Sequence, residues 1–241
     1  MSHEQASNPN DKEDLNNEIT AEKISAEKTR SNCIKRIVCY ILMSLLGVLL
    51  LMILGIGGYL YWFFNHRTVP PPPDFNLIKP HVKNGDVLLR YGVGIWSELF
   101  RVSNSYDKRF SHVGIVVEVS EGNFVVVHAE GSDISGQGAV WVEPFDQYVN
   151  RSIAIGIGRP HIVSGDQLAE KVQTFIGQPF DCFFNNEDHS KIYCTELVDL
   201  SLKAINPELA LTVDGFLIKP EACMDPKYFT EIPLPVSTVN K

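Results

Sequence analysis

The stretch HVGIVVEVSEGNFVVVHAE, residues 112–130, decides how this chain folds. Residues 112–119 and 124–130 are dominated by valine, which favours the extended backbone, and the polar loop Ser120-Glu121-Gly122-Asn123 lies between them. The pattern predicts an antiparallel β-hairpin. Side chains alternate along a strand, so His112, Gly114, Val116 and Glu118 share one face. Phe124, Val126, His128 and Glu130 likewise share one face of the partner strand. The register fixes which residues oppose one another. A loop centred on Ser120 sets His128 opposite His112; one centred on Glu121 sets Glu130 there.

Working outward, Asn84-Gly85-Asp86 is a turn signal and Val87-Leu88-Leu89 reads as a short buried strand. Residues 139–142 and 153–157 are further strand candidates. Ser164 with Gln167 forms a capping-box pattern, followed by Leu168, Val172, Phe175 and Ile176 on one helical stripe, with Gly177 as the stop. A second helix is predicted to begin near Cys194, carry Leu197, Val198, Leu202 and Ile205 as its apolar stripe, and end before Pro207. The fold class is α+β, a mainly antiparallel sheet with packed helices.

The 241-residue chain is divided by composition. Residues 1–36 are polar, without an aromatic residue, and read as a disordered tail. Residues 37–64 carry no charge over 28 positions, longer than the roughly 20 needed to cross a bilayer, and predict one transmembrane helix. Lys23, Lys28, Arg30, Lys35 and Arg36 precede this span, and fewer basic residues follow it. The expected N-terminus is therefore cytoplasmic and the domain extracytoplasmic, periplasmic in a bacterium. Val69 and four prolines at 70–73 place a stiff spacer within residues 65–79, leaving 80–241 for the domain. Residues 37–241 hold 15 Lys/Arg against 22 Asp/Glu. An acidic domain without a basic cluster excludes nucleic acid as an expected partner.

Two strings carry chemistry: Ser111-His112-Val113-Gly114-Ile115 at a strand start and Tyr193-Cys194-Thr195-Glu196-Leu197-Val198 at a helix start. A thiol attacks as thiolate, and a helix N-terminus with an adjacent imidazole is expected to favour that anion and supply the base. Together with Gly85-Asp86-Val87-Leu88-Leu89 and Gly177-Gln178-Pro179-Phe180-Asp181, these strings resemble the YiiX-like branch of the NlpC-type, papain-like cysteine amidases. In that branch the order is circularly permuted, so that the histidine precedes the cysteine. The resemblance spans about residues 80–200. It implies a papain-like fold, Cys194 as nucleophile, His112 as base, and hydrolysis of an amide through a thioester. The implied substrate is peptide-like or an acyl amide, such as the cell-wall stem peptide. For the third residue the resemblance favours His128, with Glu130 as the alternative, and Tyr193 is a cleft candidate. A lipid-directed acyl hydrolase or acyltransferase and an inert peptide-binding module are the competing functions.

No cofactor is expected. Cys182, His189 and Cys194 lack the spacing of a zinc site, so no metal is expected either. Parity alone would allow Cys182 to pair with Cys223 in an oxidising compartment, leaving Cys194 free.

Overall fold

A computed structural model describes residues 35, 37–62, 70–132 and 135–235. The expected tail over 1–36 falls almost wholly outside these residues, as does the first part of the spacer. The chain divides into two units, residues 1–66 and 67–241.

In the first unit, helix α1 (Ile37–Trp62) runs 26 residues and includes an 18-residue stretch with a mean hydropathy of 2.9. It is long and apolar enough to span a membrane.

The second unit begins with the short helix α2 (Phe75–Ile78), capped by Asp74, whose side chain accepts the Asn76 N–H. Ile78 and Val82 are core residues, so the domain starts a few positions before the expected residue 80. Strand β1 (Val87–Gly92) leads into helix α3 (Ile95–Ser103). Strands β2 (His112–Ser120) and β3 (Asn123–Gly131) form the hairpin, and β4 (Gly138–Pro144) continues the meander. Helix α4 (Phe145–Asn150), β5 (Ser152–Pro160), α5 (Gly165–Gln173) and α6 (Cys194–Ile205) follow. The small ladder of β6 (Val213–Asp214) with β7 (Leu217–Ile218) and the edge strand β8 (Phe229–Glu231) complete the unit. The main sheet has the order β4-β3-β2-β1-β5-β8, antiparallel throughout.

Valine and leucine on both faces of the central strands bury the sheet on both sides. Val87, Leu89, Val113, Ile115 and Val127 pack under α5 and α6. Leu88, Val116 and Val126 pack against Phe145, Tyr148 and Val149 of α4. Leu197, Val198 and Leu202 are fully buried, and each such side chain contributes about 1.5–3 kcal/mol. That burial fixes α6 on the sheet, and so fixes where its first residue sits. The capping box at Ser164 forms as expected.

Asp86 is buried, accepts the Lys83 N–H at 2.7 Å and pairs with Arg159 at 2.8 Å, so it braces the turn before β1. Cys182 and Cys223 are both free thiols: Cys223 lies in the core, whereas Cys182 borders a cavity, so the suggested disulfide is not made.

Candidate active site

The hairpin register explains how the site is built. Ile115 faces Val127 and Glu118 faces Phe124, the register centred on Glu121, with a bulge between Glu118 and Ser120. His128 therefore stands opposite Gly114 rather than His112. Yet the hydrogen bond runs diagonally, His112 Nε2 to His128 Nδ1 at 2.9 Å, with the rings edge to face. Gly114 makes this possible. A Cβ there would lie 2.5 Å from Val126 Cγ1 and 2.9 Å from His128 Cβ. With no side chain at 114, Val126 and the His128 Cβ close over that position, and the His128 ring reaches its diagonal neighbour.

Glu130, the alternative partner, goes elsewhere. It pairs with Arg90 and, at 3.2 Å, with Arg151. Glu143 of β4 also meets both guanidinium groups, Arg151 at 2.9 Å and Arg90 at 3.5 Å. Its Oε2 lies 3.1 Å from His128 Nε2, off the straight N–H axis but at charge-pairing distance. Arg90 in turn covers the Tyr148 ring at 4.5 Å. None of Arg90, Glu143, Arg151 or Tyr148 stands out in the sequence. Their signal is cross-strand pairing, Arg90 opposite His112 and Glu143 opposite Val126, which requires the register to be known.

Cys194 arrives from the other face of the sheet. The β2–β3 ladder is paired from Ile115↔Val127 toward the loop and open at the His112 end. The Val116 N–H points to Asp86 O, just before β1, so the N–H groups of odd-numbered β2 residues face β3. At the open end, the backbone N–H of Val113 and those of Cys194 and Thr195 at the head of α6 favour the Cys194 thiolate. Cys194 and His112 border one cavity of about 970 Å³, with Arg90, Glu130 and Arg151 on its polar side. Val93, Trp96, Phe100, Phe180 and Phe184 supply much of its apolar wall. Tyr193 borders the cavity too, but is buried. Its hydroxyl donates to Asn186 and accepts the Ile218 N–H at 2.9 Å, so it braces the loop before α6.

The electrostatics differ from the expected thiolate. Enclosure pushes the Cys194 thiol up to about 11, outweighing the three N–H groups and the Arg90 charge that pull it down. Burial, aided by Arg90, His128 and Arg151, holds His112 well below the ordinary imidazole value. Desolvation penalises both charged forms more than the helix terminus rewards one. At neutral pH the pair rests as thiol and neutral imidazole.

No protein-family model matches the chain, and no curated protein matches it. Among solved structures it is similar to the crystal structure of metalloprotein yiiX from Escherichia coli O157:H7. The TM-score is 0.53 at 15% identity, covering 64% of this chain and 98% of that one. The chain has a YiiX-like α+β fold.

That neighbour is described as a metalloprotein, and His128, Glu130 and Glu143 here bring ligand atoms within 4.8 Å of one another. A divalent cation does not fit among them. Arg90 and Arg151 already bridge both carboxylates, so two fixed positive charges balance the two negative ones. Elemental analysis of the purified full-length protein after dialysis against zinc, calcium or manganese should show no stoichiometric metal. One bound equivalent, lost in a Glu143→Gln variant, would overturn this reading.

Proposed function

We propose that this chain is a membrane-tethered cysteine hydrolase of the permuted, papain-like kind, cleaving an amide through a thioester on Cys194. One observation carries the reading. The Cys194 thiol, on the first residue of α6, borders the same cavity as an imidazole already hydrogen-bonded to a second histidine. His112 serves as base, His128 orients it, and the helix-terminal N–H groups of Cys194 and Thr195 are placed to receive developing charge. Because the pair rests neutral, the thiol proton leaves as attack proceeds. This is the pattern of a hydroxyl nucleophile with its histidine. In this reading α1 anchors the chain, with the N-terminus cytoplasmic and the domain outside.

The preferred substrate is a peptide-like amide. The apolar wall formed by Trp96, Phe100, Phe180 and Phe184 favours a second reading, an acyl lipid as substrate or acyl donor. Full-length protein in detergent, incubated with labelled stem peptides and with labelled phospholipid, separates the two. Intact-mass analysis should find an acyl adduct on Cys194 from one of them, and Cys194→Ala should lose both adduct and turnover. Turnover retained in Cys194→Ala would reject the hydrolase assignment.

A further inference from the structure

Glu143 has no place in a cysteine–histidine–histidine triad, yet it is 1% exposed and lies 3.1 Å from the far nitrogen of a fully buried His128. A buried carboxylate is retained only where neighbours hold it, and here Arg151, Arg90 and His128 do so. We propose that Glu143 is a positioning residue that fixes the tautomer of both histidines, so that Nδ1 of His112 is the basic atom. This rests on the hydrolase reading of Cys194 and His112 and extends it outward by two residues.

The argument is one of donors and acceptors. Burial would raise the Glu143 carboxyl, but the nearby His128 and the hydrogen-bonded Arg151 guanidinium outweigh it and hold the group below its ordinary value. An ionised carboxylate only accepts, so the nitrogen facing it, His128 Nε2, must carry hydrogen. Burial keeps His128 neutral against the upward pull of Glu143, so its other nitrogen, Nδ1, is a bare acceptor. The 2.9 Å contact at Nδ1 must then be filled by hydrogen from His112 Nε2. A neutral His112 with hydrogen on Nε2 has its lone pair on Nδ1.

The opposite arrangement would aim the lone pair of His128 Nε2 at a carboxylate. It would also place hydrogen on His112 Nδ1, leaving that atom unable to accept a proton. The groups facing Glu143 and His128 are Arg90, Arg151, Glu130 and Tyr148. The guanidinium and carboxylate charges balance there, and none of the four offers His128 Nε2 a competing acceptor at comparable distance.

The proton balance then closes on one atom. Cys194 Sγ–H loses its proton to His112 Nδ1 as sulfur bonds to the substrate carbonyl carbon. Nδ1–H returns the proton to the departing amine nitrogen, and the thioester remains. Water then attacks the thioester carbon while Nδ1 takes its proton, and that proton restores the thiol as the acid is released. His128 and Glu143 gain and lose no proton. They stabilise the transient His112 imidazolium through the His112–His128 hydrogen bond and the Glu143 charge 3.1 Å from the far ring nitrogen of His128.

The test reads tautomers directly, in full-length protein labelled with nitrogen-15 histidine and held in detergent. Long-range nitrogen–proton spectra should show both His112 and His128 with hydrogen on Nε2, in wild type and equally in Cys194→Ala. Glu143→Gln offers His128 an amide N–H in place of a carboxylate. It should move hydrogen to Nδ1 on both rings and lower turnover about 10- to 100-fold, the range of one charged hydrogen bond, with KM unchanged. Glu143→Asp keeps an acceptor and should retain the wild-type tautomers, which guards against a general loss of fold. Wild-type His112 with hydrogen on Nδ1, or tautomers unmoved in Glu143→Gln, would refute the proposal. Absence of turnover with the tautomers as stated would instead count only against the hydrolase reading.

Discussion

In the full-length protein, Cys194 is expected to react with iodoacetamide along a pH profile whose midpoint lies near 11, far above that of an ordinary cysteine. The thiolate fraction at pH 7 falls with the difference between about 11 and the usual value near 8.5, a factor of about 300. A more basic thiolate is intrinsically more nucleophilic, which recovers about a factor of 10. Alkylation at pH 7 should therefore be about 20- to 30-fold slower than for an unstructured cysteine peptide, combining those two factors. Peptide mass mapping assigns the adduct, and Cys194→Ala removes it.

Hydrolysis should behave differently. His112→Ala should leave the alkylation midpoint within reach of 11, since the imidazole it removes is neutral at rest. It should nonetheless lower turnover by about 10²- to 10⁴-fold, the contribution of a positioned base. The separation of these two effects is the signature of a base that acts only as the bond forms. A midpoint at or below 8.5 would mean a resting thiolate–imidazolium pair, and the neutral-pair mechanism would be wrong.

The legible part of this molecule is what local pattern encodes. The valine-rich runs gave β2 and β3, the capping box at Ser164 marked α5, and the apolar stripe from Leu197 to Ile205 marked α6, because each depends on residues close in sequence. The YiiX-like fold followed from four short strings in order. The charged half of the site was illegible for a physical reason. Arg90, Glu130, Glu143 and Arg151 come from three strands and the end of a helix, and only the register brings them together. The register itself misled at one point. Centring the loop on Glu121 sets Glu130 opposite His112, but hydrogen bonding follows side-chain reach, and the missing side chain at Gly114 lets His128 pack close and make the bond instead. The thiol expectation failed similarly. A helix N-terminus is visible in a sequence, whereas the depth at which it is enclosed is not.

Gly114 is accordingly a position where one methyl group should disturb the histidine pair itself. Its backbone makes no demand for glycine, so the requirement is one of space alone. An alanine Cβ would press on Val126, a fully buried and stiff β-branched side chain, and on the Val127 carbonyl at 3.2 Å, neither of which has room to retreat. The remaining neighbour, His128, would have to move off its bond to His112. Gly114→Ala should cost about 1–3 kcal/mol of stability, as overpacking does. It should also lower turnover about 10- to 100-fold, as loss of a charge-assisted hydrogen bond does once His112 becomes imidazolium. Gly122→Ala separates the two effects. Gly122 has φ +66° with nothing within 4 Å of a Cβ, so alanine there strains the backbone by about 1–2 kcal/mol and touches nothing in the site. Urea unfolding should thus show comparable losses of stability for the two variants, while only Gly114→Ala loses turnover. Full turnover in Gly114→Ala would mean that the His112–His128 bond is not what orients the base.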